Sequence, residues 1–174
     1  MSAERSMLFV FACVALGGCR DPVKGARQDA LGPEQASVAR GPLHRPGQPC
    51  TVCHSPGGGA PDFSLAGTIF ANAAGTQPLA GAVVQILEHN GNQKYFTTNA
   101  AGNFYVSASD WSPDFPIWAS VGYTCADPLA SYVHVEMLSQ IFRASACADC
   151  HFDPRGPSSA GHVYLNELAE GRCP

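Results

Sequence analysis

A chain of 174 residues with 45% hydrophobic and 14% charged residues can bury one ordinary core, which argues against global disorder. Its formal charge of −4 argues against a nucleic-acid partner, which would need clustered Lys and Arg. Eighteen glycines and fourteen prolines favour short elements joined by turns over long helices. Residues 1–18 read as an export signal: Glu4 and Arg5 precede an apolar run over 7–16 that is too short to span a bilayer as a stable helix.

The run ends in Leu16-Gly17-Gly18-Cys19, which resembles the lipobox of bacterial lipoproteins. The resemblance implies cleavage before Cys19, acylation of that cysteine and a membrane partnership through the lipid. Several acyl chains anchor where one cannot. Arg20 after the cysteine resembles sorting to the outer membrane. The expected location is therefore the exported cell envelope, as an outer-membrane lipoprotein facing periplasm or cell surface. Residues 19–49 follow as a flexible tether, with Pro22, Pro33, Pro42, Pro46 and Pro49 among small and polar residues. A short helix is expected near 33–40, where Glu34-Gln35-Ala36 favours one.

Residues 50–61 form a first cysteine segment, opened by Cys50-Thr51-Val52-Cys53-His54. From 62 to 142 the chain reads as β. Strands are expected over 63–72, 82–88, 94–98, 103–107, 117–124 and 132–138. His89-Asn90-Gly91-Asn92 supplies a hairpin turn in which Asn-Gly tolerates positive φ. Six or seven short strands with a turn signal about every ten residues predict a mainly β chain, a small antiparallel sandwich. Residues 143–174 form the second segment around Cys147-Ala148-Asp149-Cys150-His151.

The turn glycines and strand pattern of Gly67-Thr68-Ile69-Phe70, of 78–87 and of 97–106 resemble the carboxypeptidase-regulatory-like domains. That resemblance covers about forty residues. It implies an Ig/transthyretin-like β-sandwich that serves as scaffold or binding module rather than enzyme. Asn99 stands where many members have Asp.

Both cysteine motifs match the c-type haem attachment signature. Two thiols separated by one short turn can add to the two vinyl groups on one porphyrin edge, and the next histidine then ligates iron from the proximal side. With eight Cys and six His in the chain, chance alone gives about 0.01 such matches, so two are far beyond accident. Cys50, Cys53, Cys147 and Cys150 are the expected attachment sites for two haem c groups, with His54 and His151 as iron ligands. The remaining iron ligands are sought among His162, His44 and Met137. His162 lies eleven residues past His151 and Met137 ten before Cys147. His89, in a turn, and His134, alternating with Val133 and Val135, are expected to face solvent. Cys125 and Cys173 remain as an even pair in an oxidising compartment, where a disulfide is plausible. Two rival uses of the motifs are a tetrahedral Cys₄ zinc site and a pair of redox dithiols.

These readings predict electron transfer by a lipid-anchored dihaem c-type cytochrome, an electron carrier rather than an enzyme, with redox proteins as partners. The two motifs flank the sandwich and are expected to meet, since domain termini often lie close together. Two other classes stay open: a haem enzyme with one five-coordinate iron, and a surface binding module with structural cysteine pairs.

Overall fold

The computed structural model describes residues 21–34, 38, 40–125 and 132–165. Cys19 and Cys173 lie outside these residues. Among the described residues no helix is long and apolar enough to cross a membrane.

Among the described residues six strands form two antiparallel sheets, a small β-sandwich. One sheet pairs β1 (Phe63–Thr68) with β4 (Asn103–Ser107). The other runs in the order β3 (Gln93–Thr97), β2 (Val83–Glu88), β5 (Ile117–Tyr123), β6 (Val133–Glu136). Alternation along β2 buries Val84 and Ile86 and turns Leu87 outward. Leu65 and Phe104 come from the facing sheet, and Ile69, just past β1, and Ile117 complete the centre of the core. The β2–β3 hairpin closes at the expected turn, with Gly91 at φ 89° and the Asn90 side chain accepting from Asn92 N at 2.9 Å.

Two departures from the sequence reading have physical causes. In β6 only Val133 is buried, while Val135 is 41% exposed, because β6 is an edge strand that offers the core little surface. Among the described residues of the 19–49 stretch a helix lies at Pro22–Ala30 (α1). Of the expected span 33–40, residues 35–37 and 39 lie outside the described residues, and the described positions carry no helix. Asp21 caps α1 by accepting from Val23 N and Lys24 N, and Pro22 supplies a preset φ at the first helical position.

The chain preceding the first motif is also docked. Asn99 organises the β3–β4 turn by accepting from Ala101 N and Asn103 N, and its amide donates to Pro42 O at 2.7 Å. A carboxylate could not make that last bond, which gives Asn a reason to stand where Asp would otherwise serve the turn. Asn103 donates to His44 O at 3.1 Å, and Gly47 N donates to Thr68 Oγ1 at 2.8 Å. Residues 42–47 thus lie across the ends of β1 and β4.

Candidate functional site

Both cysteine motifs fold into the same local structure. Cys50–Val52 and Cys147–Asp149 are single 3-10 turns. In each, the second cysteine donates its N–H to the first cysteine's carbonyl at 3.2 Å, and the histidine donates to the same carbonyl at 2.9 Å. Small and medium residues at the two intervening positions let the turn pack inward: Val52 is buried in the first and Ala148 in the second.

Strand β1 holds both turns. Phe63 N donates to His54 O at 3.0 Å at one end of the strand. Along the edge not paired with β4, Ala66 N donates to Ser145 O at 2.8 Å and Ala66 bridges Ala146 in parallel. Gly67 faces Cys147: a Cβ there would come 2.4 Å from its Sγ, so glycine is required for the close approach. Helix α1 lies over both motifs. Gln28 donates to Val52 O and Gly58 O, Lys24 donates to Pro56 O at 2.6 Å, and Arg27 pairs with Asp149 at 3.5 Å. The expectation that the two motifs meet agrees with this placement.

The four thiols Cys50, Cys53, Cys147 and Cys150 are free. Burial pushes the Cys50 thiol up to about 11 and the Cys147 thiol up to about 12. Asp149 adds to the first shift, and Cys50 itself adds to the second, so the leading cysteines of the two motifs lie within electrostatic reach of each other. A dithiol redox centre needs a leading thiol with a lowered pKa, and both leading thiols here are raised. Among the described residues no three His, Cys, Asp or Glu side chains are grouped to hold a metal ion. Cys125 is buried and disulfide-bonded, while Cys173 lies outside the described residues.

The motif histidines share a second feature. His54 Nδ1 donates to Pro61 O at 2.7 Å, and His151 Nδ1 donates to Gly161 O at 3.0 Å. A carbonyl only accepts, so Nδ1 carries the proton in both rings and the Nε2 lone pair is left for another partner. Each anchoring carbonyl comes from the loop after its motif. The first loop is tightened by Gly58, where a Cβ would strike Cys53 O. The second is closed by Ser159, whose hydroxyl accepts from Phe152 N and Gly161 N.

The remaining expected ligands are dispersed. His44 sits beside His54, with ring centroids 5.8 Å apart, and its Nδ1 meets both the carbonyl and the N–H of Gly41. His162 is engaged elsewhere. Its ring packs against Phe70, its Nε2 meets Asp153 Oδ2 at 3.0 Å, and its Nδ1 is buried without a hydrogen-bond partner among the described residues. Met137 lies on the four-stranded sheet, lining a groove of about 200 Å³ with Trp118, Leu87, Gln85 and Glu136, whereas both motifs pack on β1. His89 is exposed beside Asp114, and His134 is exposed against Tyr132.

Sequence reading missed the rings around His54. Phe63 stacks on it at 3.9 Å and 5°, and Tyr105 stacks on Phe63 at 4.8 Å and 15°. The signal lay in register: Phe63 on β1 pairs with Ser107 on β4, and Tyr105 lies two residues back along β4, a diagonal neighbour across the two strands. Comparisons with protein-family models, curated proteins and solved structures found no match for the chain.

Proposed function

We propose that the chain is a dihaem c-type cytochrome that carries electrons at the bacterial cell envelope, tethered through a lipid on Cys19. One observation carries the reading. Two free-thiol pairs, each on the same 3-10 turn, are each followed by an imidazole whose Nδ1 is pinned by a backbone carbonyl. This donor set fits haem c: thiols to form thioethers, and an oriented Nε2 to bind iron. When bound, haem c supplies a one-electron iron couple. Cys50 and Cys53 would hold one group and Cys147 and Cys150 the other, with His54 and His151 as proximal ligands.

His44 is the best-placed second ligand for the first iron, being close to His54 with its own Nδ1 held at Gly41. Carbonyl anchoring holds each motif imidazole in one tautomer before and after an electron arrives, which limits reorganisation at the site. The carboxypeptidase-regulatory-like resemblance of the sandwich agrees with a scaffold role, positioning two redox groups and docking a redox protein.

A second reading is favoured by the groove beside Trp118, which suits a surface binding module in which the cysteine pairs are structural. Reductive titration of the mature chain, made in a host that attaches c-type haem, separates the two. The expected result is reversible uptake of two electrons per chain with an optical change. A folded chain that takes up none refutes the electron-carrier reading.

A further inference from the structure

We infer that Phe63, backed by Tyr105, is a positioning residue that fixes the plane of the His54 imidazole and so makes the two iron sites inequivalent. The inference rests on the proposal that His54 and His151 ligate iron.

Three contacts hold His54. Pro61 O accepts from its Nδ1 at 2.7 Å, which fixes the edge of the ring. Its own carbonyl accepts from Phe63 N at 3.0 Å, which fixes the backbone. Stacking on Phe63, 3.9 Å between centroids and 5° between planes, covers one face of the ring, so rotation about the Cβ–Cγ bond is opposed by packing as well as by the Pro61 hydrogen bond. Phe63 cannot yield freely, because Tyr105 stacks on its other face at 4.8 Å. Tyr105 is 43% exposed, so the stack runs from the iron ligand to the surface of the β1–β4 sheet.

Beyond the turn hydrogen bond that both histidines make, the His151 ring is held among the described residues by the carbonyl contact. Gly161 O accepts from its Nδ1 at 3.0 Å, and among the described residues no aromatic ring stacks on it. The two motifs therefore offer iron the same atom with different orientational freedom. If these imidazoles bind iron, the plane of each would set the splitting of the iron orbitals that it overlaps, so this difference would have a spectroscopic consequence that core packing by Phe63 would not produce.

The test is electron paramagnetic resonance of the oxidised holoprotein, with haem content measured by mass. Wild type is expected to give two distinct ferric haem signals, and the one lost in the Cys50→Ser/Cys53→Ser variant belongs to the first motif. Phe63→Leu is expected to shift or broaden that signal alone, and Phe63→Tyr to restore it. Tyr105→Leu changes only the half-exposed end of the stack, so it reads the same effect should Phe63→Leu fail to fold. Its expected shift is smaller and in the same signal. Two bound haems with the first signal unmoved in the folded variants, or with both signals moved alike, overturn the inference while leaving the cytochrome reading intact. A wild-type chain that carries no haem overturns both.

Discussion

The two motif regions share a turn and an anchored imidazole, yet they are built into the molecule differently. The first is clamped from outside. Lys24 and Gln28 of α1 bind its loop carbonyls, and Phe63 stacks on its histidine. The second is embedded from within. Cys147 packs against the core, its thiol pressed on Gly67, and α1 reaches the motif through the Arg27–Asp149 ion pair. A five-residue signature specifies local chemistry, while its neighbours decide whether rigidity comes from surface hydrogen bonds or from core packing.

The largest effect expected from breaking this comparison is loss of a whole cofactor. Cys50→Ser/Cys53→Ser and Cys147→Ser/Cys150→Ser should each remove one haem by mass. The second pair should also cost about 1–3 kcal/mol of folding stability, because a hydroxyl replaces a thiol packed on the core. Equal stability of the two double variants in urea would contradict the embedded placement of Cys147.

Gly67→Ala should act on the second motif and on the core ring of Phe104, and not on the first motif. Its Cβ would lie 2.4 Å from Cys147 Sγ, an overpacking expected to cost about 1–3 kcal/mol and to lower haem occupancy at Cys147 and Cys150. Occupancy at the first motif should be unchanged by peptide mass mapping.

A pH series on the haem-free chain sharpens the contrast between thiols. A thiol with a higher pKa in the folded state than the ordinary 9.0 binds its proton more tightly when folded. Its stabilising contribution is therefore complete below pH 9 and is lost as pH rises through about 11 for Cys50 and about 12 for Cys147. Denaturant midpoints should fall over that alkaline range, and the fall should shrink in Cys147→Ala.

The smallest effects lie in α1. Gln28→Ala removes two hydrogen bonds to the first motif and should cost about 0.5–1.5 kcal/mol. Arg27→Ala breaks a pair whose arginine is 61% exposed, so it should cost no more than about 0.5 kcal/mol and less in high salt. A larger effect from Arg27 would mean that α1 holds the second motif more firmly than the first.

The strands were legible because period-two burial and Gly- or Asn-based turns are local signals, and 103–107 matches β4 residue for residue. Val135 misled because alternation specifies two faces and cannot reveal that an edge strand buries only part of one. Helix α1 was readable in principle from Asp21-Pro22, a capping residue followed by proline, but the proline-rich surroundings pointed to a tether. The motif cysteines and histidines carried their own spacing. The partners of His54 did not, since Phe63 and Tyr105 reach it only through strand pairing. His44 and His162 looked alike as ligands in sequence. Loop closure at Gly41 brings the first beside His54, and Asp153 draws the second away.

Intact mass with an optical spectrum of the mature chain, produced alongside c-type haem maturation, tests the central claim most directly. Two covalently bound haems per chain with sharp reduced α and β bands are expected. A correctly folded chain with no haem mass, or with its four motif cysteines still free after maturation, would contradict the cytochrome.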